Sequence, residues 1–242
     1  MTDFTHRLSL HSWTIDTVRL PDVLGIARQT GWDAVELRRS DFTQCFDAGM
    51  SNAEVLALIR ASGMPIATLG TEYGLMFATG DEQKRLLEVL RQTCANAEAL
   101  GCDTVMVAPG ATTGTVREAA ANFRAGGEIA GEHGVKLALE FSAGHALINR
   151  LEVAREILAL AGHPHCGLLL DAYHLERTGA GGRGFADLPA RDIFAFQYSD
   201  VPAAPLPPGR RPTDRLLPGT GTVRWNEVLE LLAEKKFGGF LS

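Results

Sequence analysis

Cys166-Gly167-Leu168-Leu169-Leu170-Asp171-Ala172-Tyr173-His174 sets a carboxylate directly after an apolar run and an imidazole three residues beyond it. Cys166 to Leu170 is too short and too uniformly apolar for an amphipathic helix. It reads as a strand buried on both faces, as in a parallel sheet. An acid at the end of such a strand needs a cation or hydrogen bonds to offset its desolvation, and a divalent metal offsets it best. Asp171 and His174 then make a ligand and a neighbouring proton donor at one strand-to-loop junction. Asp171 fits equally well as the cap of a following helix, with His174 packed in a loop. The other strands must decide between the two.

Those strands follow one grammar along the chain. Arg7 to Ser12 alternates and ends near His11 and Trp13, and Leu20 to Thr30 has helical spacing closed by Gly31. Strands are expected again at Asp33 to Arg38, Pro65 to Gly70, Asp103 to Val107, Val135 to Glu140, Cys166 to Asp171 and Ile193 to Tyr198. Helices are expected between them at Asn52 to Ser62, Asp81 to Leu100 with Asp81 as its cap, Thr115 to His133 and Asn149 to Leu160, with a last one at Trp225 to Lys235. No hairpin signal joins any two strands, so the connections are crossovers and the sheet is parallel. The first strand-to-helix turn, His11-Ser12-Trp13-Thr14, has no glycine, against a dinucleotide-binding open sheet. The expected fold is a (β/α)8 TIM barrel over residues 1–242. Its eighth unit is incomplete: Phe240-Leu241-Ser242 opens a strand, leaving an unpaired edge and no final helix.

Composition narrows the chemistry. A hydrophobic content of 45% over 242 residues supports a large core, and a net charge of −6 argues against a nucleic-acid partner. Cys45, Cys94, Cys102 and Cys166 form no C-x-x-C pair, which suits reduced thiols. The first residues lack an apolar leader core and no stretch has the length a bilayer needs, so the expected location is cytoplasmic, away from membranes. A homo-oligomer is left open.

In a barrel the C-terminal strand ends converge on one site. Here they supply His11 and Trp13, Glu36 and Arg38, Thr71 and Glu72, Glu140, Asp171 with His174, and Gln197 with Ser199 and Asp200. Glu140, Asp171 and Gln197 stand at three successive ends and make a hard oxygen-rich set suited to one divalent ion. Glu36 is placed to bind a distal hydroxyl of a substrate or to pair with Arg38, with His11 and Trp13 beside it. The Gly-rich run from Gly179 to Gly184 lacks the Gly-Lys-Ser/Thr ending of a phosphate loop and reads as a mobile connector.

Gly134 to Glu140, Leu168 to His174, Phe196 to Val201 and Asp214-Arg215-Leu216-Leu217-Pro218-Gly219-Thr220-Gly221 resemble the xylose isomerase-like TIM-barrel superfamily. Within it the likeness is greatest to the sugar-phosphate isomerase/epimerase and inosose isomerase branch. That resemblance implies one divalent ion (Mn, Mg, Co or Zn) on Glu140, Asp171 and Gln197, and a sugar or cyclitol substrate. It also implies Glu140 as base, with His174 and Arg215 on the substrate, and proton transfer through an enediolate. Two departures stand out: Gln197 replaces the more usual histidine, and the final strand's glutamate is absent, so a natural chain continuing past Ser242 is expected. The rivals are a 3-dehydroshikimate dehydratase, which suits Gln197, and a non-catalytic sugar-binding barrel. The superfamily's apurinic endonucleases fit poorly, because the third and fourth strand ends, Leu69-Gly70-Thr71 and Ala108-Pro109-Gly110, offer no histidine.

Overall fold

The computed structural model describes residues 6–205 and 213–242. Its strands are β1 (Arg7–His11), β2 (Ala34–Leu37), β3 (Ile66–Gly70), β4 (Thr104–Val107), β5 (Lys136–Glu140), β6 (Cys166–Asp171), β7 (Ile193–Gln197) and β8 (Phe240–Leu241), all parallel in a closed barrel. The helices are α1 (Leu20–Gln29), α2 (Arg39–Asp47), α3 (Asn52–Ser62), α4 (Gly80–Leu100), α5 (Val116–Glu132), α6 (Leu151–Ala161), α7 (Ala172–Arg177) and α8 (Trp225–Glu234). Strands β2, β3, β4 and β6 are buried at every residue. Such burial explains why their sequences run apolar without alternating.

Two cores result. The larger lies between strands and helices, and a small lumen cluster holds Met106, Ala108, Ala138, Leu169 and Ala195. The lumen layer places the site. Because side chains repeat every second residue along a strand, Glu140, Asp171 and Gln197 follow Ala138, Leu169 and Ala195 by one period and rise into the barrel mouth.

Local chemistry sets the element ends. Ser51 with Glu54, and Thr115 with Glu118, form reciprocal capping boxes at the starts of α3 and α5. The cap of α4 is Thr79 rather than Asp81, which sits in the first turn, where the helix dipole still favours an acid. Two short helices complete the set, the first not expected from the sequence and the second the one that Asp171 was placed to cap. Arg39–Asp47 follows β2 directly, and Ala172–Arg177 follows β6, capped by Asp171 Oδ1, which accepts from Tyr173 N at 2.9 Å.

The expected unpaired edge does not occur. Two residues of β8 suffice: Phe240 and Leu241 pair with Arg7 and Leu8, and Leu241 also pairs with Phe196. The Gly-rich connector is packed rather than open. Ala180 and Phe185 are buried, and Arg224 Nη2 donates to Gly181 O at 2.8 Å.

One buried acid ties the chain just after β7 to residues 216–225. Asp200 has no solvent exposure, and its carboxylate accepts from Val201 N, Val223 N, Gly219 N and Trp225 Nε1 at 2.8–3.0 Å. Its backbone exchanges both hydrogen bonds with Leu216, at 2.9 and 3.0 Å. Gly221 passes so close to this carboxylate that a Cβ there would collide with it. The neighbour of Leu216, Arg215, is thereby held over the barrel.

Burial works to raise the Asp200 pKa, but the donors from Val223, Val201 and Trp225 outweigh it and hold it below the ordinary 3.8. Its contribution to stability is therefore complete above the unfolded-state value and fades as pH falls through the lower folded value. Asp200→Ala should cost about 3 kcal/mol or more, because several buried donors lose their acceptor. A lowered urea midpoint, together with a shallower loss of stability below pH ~4, where the parent's Asp200 protonates, checks this.

Candidate active site

Glu140 and Asp171 end β5 and β6, and His174 lies one turn into α7. One ligand atom from each falls within 4.8 Å of the others, the sole such cluster of His, Cys, Asp and Glu among the described residues. His174 Nε2 is 3.6 Å from Glu140 Oε1 and 3.6 Å from Asp171 Oδ2. Arg215 Nη2 comes within 2.6 Å of the same Asp171 oxygen, and Arg215 Nη1 donates to Ser199 Oγ at 2.6 Å.

Burial dominates the electrostatics. It pushes Glu140 well above the usual carboxylate range, with the adjacent Asp171 charge adding to the rise. Burial also works on Asp171, but the Arg215 guanidinium and then His174 more than offset it and hold that carboxyl low. The pair therefore divides into one acid that stays ionised and one poised to take or hold a proton. His174 is pushed down to about 4, chiefly by burial.

The imidazole's role follows from its other nitrogen. His174 Nδ1 accepts from Ala143 N at 3.2 Å, so the neutral ring carries its proton on Nε2, facing Glu140 and Asp171; Arg215 Nη2, also a donor, stands 3.4 Å from that nitrogen without bonding it. That nitrogen has a proton to give and no lone pair for a cation. Asp171 differs. Its Oδ2 is fully buried, and the one group against it is the Arg215 guanidinium, an ion pair at 2.6 Å whose N–H is poorly aligned for a hydrogen bond. A fully buried carboxylate oxygen compensated only by that guanidinium, with Glu140 close by and Gln197 next to it in register, fits a divalent ion of the oxygen-preferring class.

Each residue expected from the sequence has a definite place. Gln197 is paired in register with Asp171, and its Nε2 donates to Glu36 Oε1 at 2.8 Å. Glu36 is buried; burial works to raise its pKa, but His11 together with the side chains of Ser242 and Gln197 outweighs that and keeps it low. Glu36 does not pair with Arg38, which is committed to Asp41 at 2.9 Å and to Ser12 Oγ at 3.1 Å. His11 Nε2 lies 3.3 Å from Glu36 Oε1. Trp13 and Tyr73 are exposed large rings, and the Arg215 guanidinium lies 5.9 Å from the Trp13 ring. His145 serves structure: it accepts from Leu147 N and Ile148 N and stacks on Phe77.

What the sequence did not disclose is the support of Arg215. Its guanidinium lies 4.5 Å from the Tyr173 ring, while the Tyr173 hydroxyl and Arg177 both bind Asp214, the residue before it. Tyr173 and Arg177 are four apart on α7, a helical signal hidden by the apolar run that precedes it.

A family model described as the xylose isomerase-like TIM barrel matches residues 24–242. The chain belongs to that family. Within the family it is similar to an inosose isomerase of Halalkalibacterium halodurans, 26% identical and covering 95% of this chain and 83% of that enzyme. It is also similar to a 3-dehydroshikimate dehydratase of Pseudomonas aeruginosa, 27% identical over 76% of this chain but only 29% of that enzyme. A solved IolI protein with a bound zinc atom superposes with a TM-score of 0.82 at 21% identity, over 98% of this chain and 86% of that one.

The ring of His174 should be neutral and protonated on Nε2 at pH 7 in metal-free protein. Side-chain nitrogen-15 shifts in a histidine-labelled sample check the tautomer; a proton on Nδ1 would contradict the donor role.

Proposed function

We propose that this chain is a metal-dependent isomerase or epimerase that moves a proton at the carbon next to the carbonyl of a small polyhydroxylated ketone, of the inosose class. The convergence of Glu140, Asp171 and His174 within 4.8 Å at the barrel mouth carries the reading. The inosose isomerase relative, aligned over 95% of the chain, supports the substrate class.

The residues divide the work. Asp171, Glu140 and Gln197 would hold the divalent ion, which when bound supplies Lewis acidity at the substrate's carbonyl and hydroxyl oxygens. Glu140, at the end of β5, would take the proton from carbon and return it. His174 donates its Nε2 proton toward a substrate oxygen. Arg215, always charged, pairs with oxyanion character as it develops, and Ser199 keeps its guanidinium aimed. Trp13 and Tyr73 offer flat apolar faces at the rim, to which a ring's C–H face can stack.

A second reading uses the same groups. If the carbon next to the abstracted proton bears a leaving hydroxyl, His174 could protonate it and water would depart, as in a dehydratase. The Pseudomonas aeruginosa dehydratase relative favours this reading.

Incubation of Mn²⁺-loaded protein with inososes, ketoses and dehydroshikimate in D₂O separates the two. Deuterium entering the substrate without loss of mass as water supports the isomerase; loss of water supports the dehydratase; no exchange with any of them defeats both. Asp171→Ala should abolish Mn²⁺ binding in calorimetry, while Gln197→His keeps it, because imidazole also ligates. Arg215→Lys should reduce turnover about 100-fold, on the scale of losing one charge-stabilising donor, with metal content unchanged. Loss of metal in that variant would overturn the separation of roles.

A further inference from the structure

Glu36 is a buried acid that the chemistry above leaves unused. It belongs to β2, on the far side of the lumen from β7, and is 2% exposed. One of its oxygens, Oε1, receives two side chains: Gln197 Nε2 at 2.8 Å and His11 Nε2 at 3.3 Å.

The direction of each contact is fixed. His11 Nδ1 already accepts from Trp13 N at 2.9 Å, so its neutral ring has the proton on Nε2 and donates to Glu36. A carboxylate only accepts. The amide of Gln197 has a donor end and an acceptor end of nearly the same shape, and only the NH₂ end can face Glu36. Its oxygen is left as the uncommitted end, since the one side-chain hydrogen bond that Gln197 makes with a described residue is the donation to Glu36. Gln197 is also the register partner of Asp171. Reversed, the same amide would set two N–H groups beside that acid and repel a cation.

We infer that Glu36, held by His11, is a positioning residue that turns the Gln197 amide so that its carbonyl oxygen is the end offered to a divalent ion. The inference rests on the proposed role of Gln197 as a ligand. It assigns His11 and Glu36 to the support of the metal site rather than to substrate. It also accounts for an amide at the seventh strand end, since an acceptor behind Gln197 converts an ambiguous side chain into a directed one. Outer carboxylates of this kind typically change metal affinity 10–100-fold when removed, here expected to be about that much.

Calorimetric titration with Mn²⁺, paired with thermal unfolding of the metal-free proteins, tests it. Glu36→Leu removes the acceptor and should bind Mn²⁺ about 10–100-fold more weakly. Glu36→Gln keeps an acceptor oxygen within reach of the amide and should bind nearly as the parent does. Should the leucine variant fail to fold, Glu36→Asp keeps the charge, withdraws the acceptor by one methylene, and should also bind more weakly. Gln197→Ala serves as the reference. If Gln197→Ala loses affinity while Glu36→Leu or Glu36→Asp binds like the parent, the positioning role is wrong and the ligand assignment stands. If Gln197→Ala itself binds like the parent, Gln197 is no ligand and both fall. Equal weakening in Glu36→Gln and Glu36→Leu would mean that charge, not amide direction, matters, and would overturn the inference. A role confined to bracing the barrel would lower unfolding temperatures and leave every Mn²⁺ affinity unchanged.

Discussion

A carboxylate with no exposure to water, at the end of a strand, is the constraint on which the rest of this site depends. Asp171 cannot remain ionised there without compensation, and the surroundings supply it in parts. One oxygen starts α7 by accepting from Tyr173 N, while the other has the Arg215 guanidinium at 2.6 Å but no aligned donor. The first oxygen fixes where His174 stands, because the helix it caps carries the imidazole one turn on. The second is the oxygen that the proposed ion would use. The competing readings of Asp171 as cap and as ligand are therefore not exclusive, since its two oxygens divide them.

Arg215 shows how a long segment can deliver one charged group with precision. Its neighbour on one side, Asp214, is tied to Tyr173 and Arg177 of α7; on the other, Leu216 is bridged to Asp200. The guanidinium then lies by the Tyr173 ring and donates to Ser199. Side chains anchored at both flanks lose little further entropy when they engage a ligand. Gly221 belongs to the same device, because the Asp200 carboxylate occupies the space a Cβ would need.

The opposite side of the lumen works by directing rather than by charge alone. The run from Trp13 N through His11 and Glu36 to Gln197 alternates donor and acceptor at each step. Strands β1, β2 and β7 are thereby linked across the barrel interior. Of the groups at these strand ends, His11 and Glu36 face one another, while the Trp13 and Tyr73 rings are exposed, with the Arg215 guanidinium 5.9 Å from the Trp13 ring.

The sequence by itself determined the barrel and its polarity, because buried parallel strands write themselves as short apolar runs and helix stops as glycines such as Gly63, Gly101 and Gly162. It also placed Glu140, Asp171, His174 and Gln197 at the ends where such barrels keep their chemistry, while Arg215 was indicated only by the family resemblance. The helix Arg39–Asp47 escaped it, since it starts within two residues of a strand and lacks a separate apolar period of its own. Closure by only Phe240 and Leu241 was equally hidden, because pairing with β1 and β7 involves partners more than 40 residues away in the chain. Only the tertiary structure decided which proton each histidine carries, which oxygen of Asp171 lacks an aligned donor, and which end of the Gln197 amide is free. Those properties belong to neighbours brought together from distant strands, and residue type and spacing hold no record of direction.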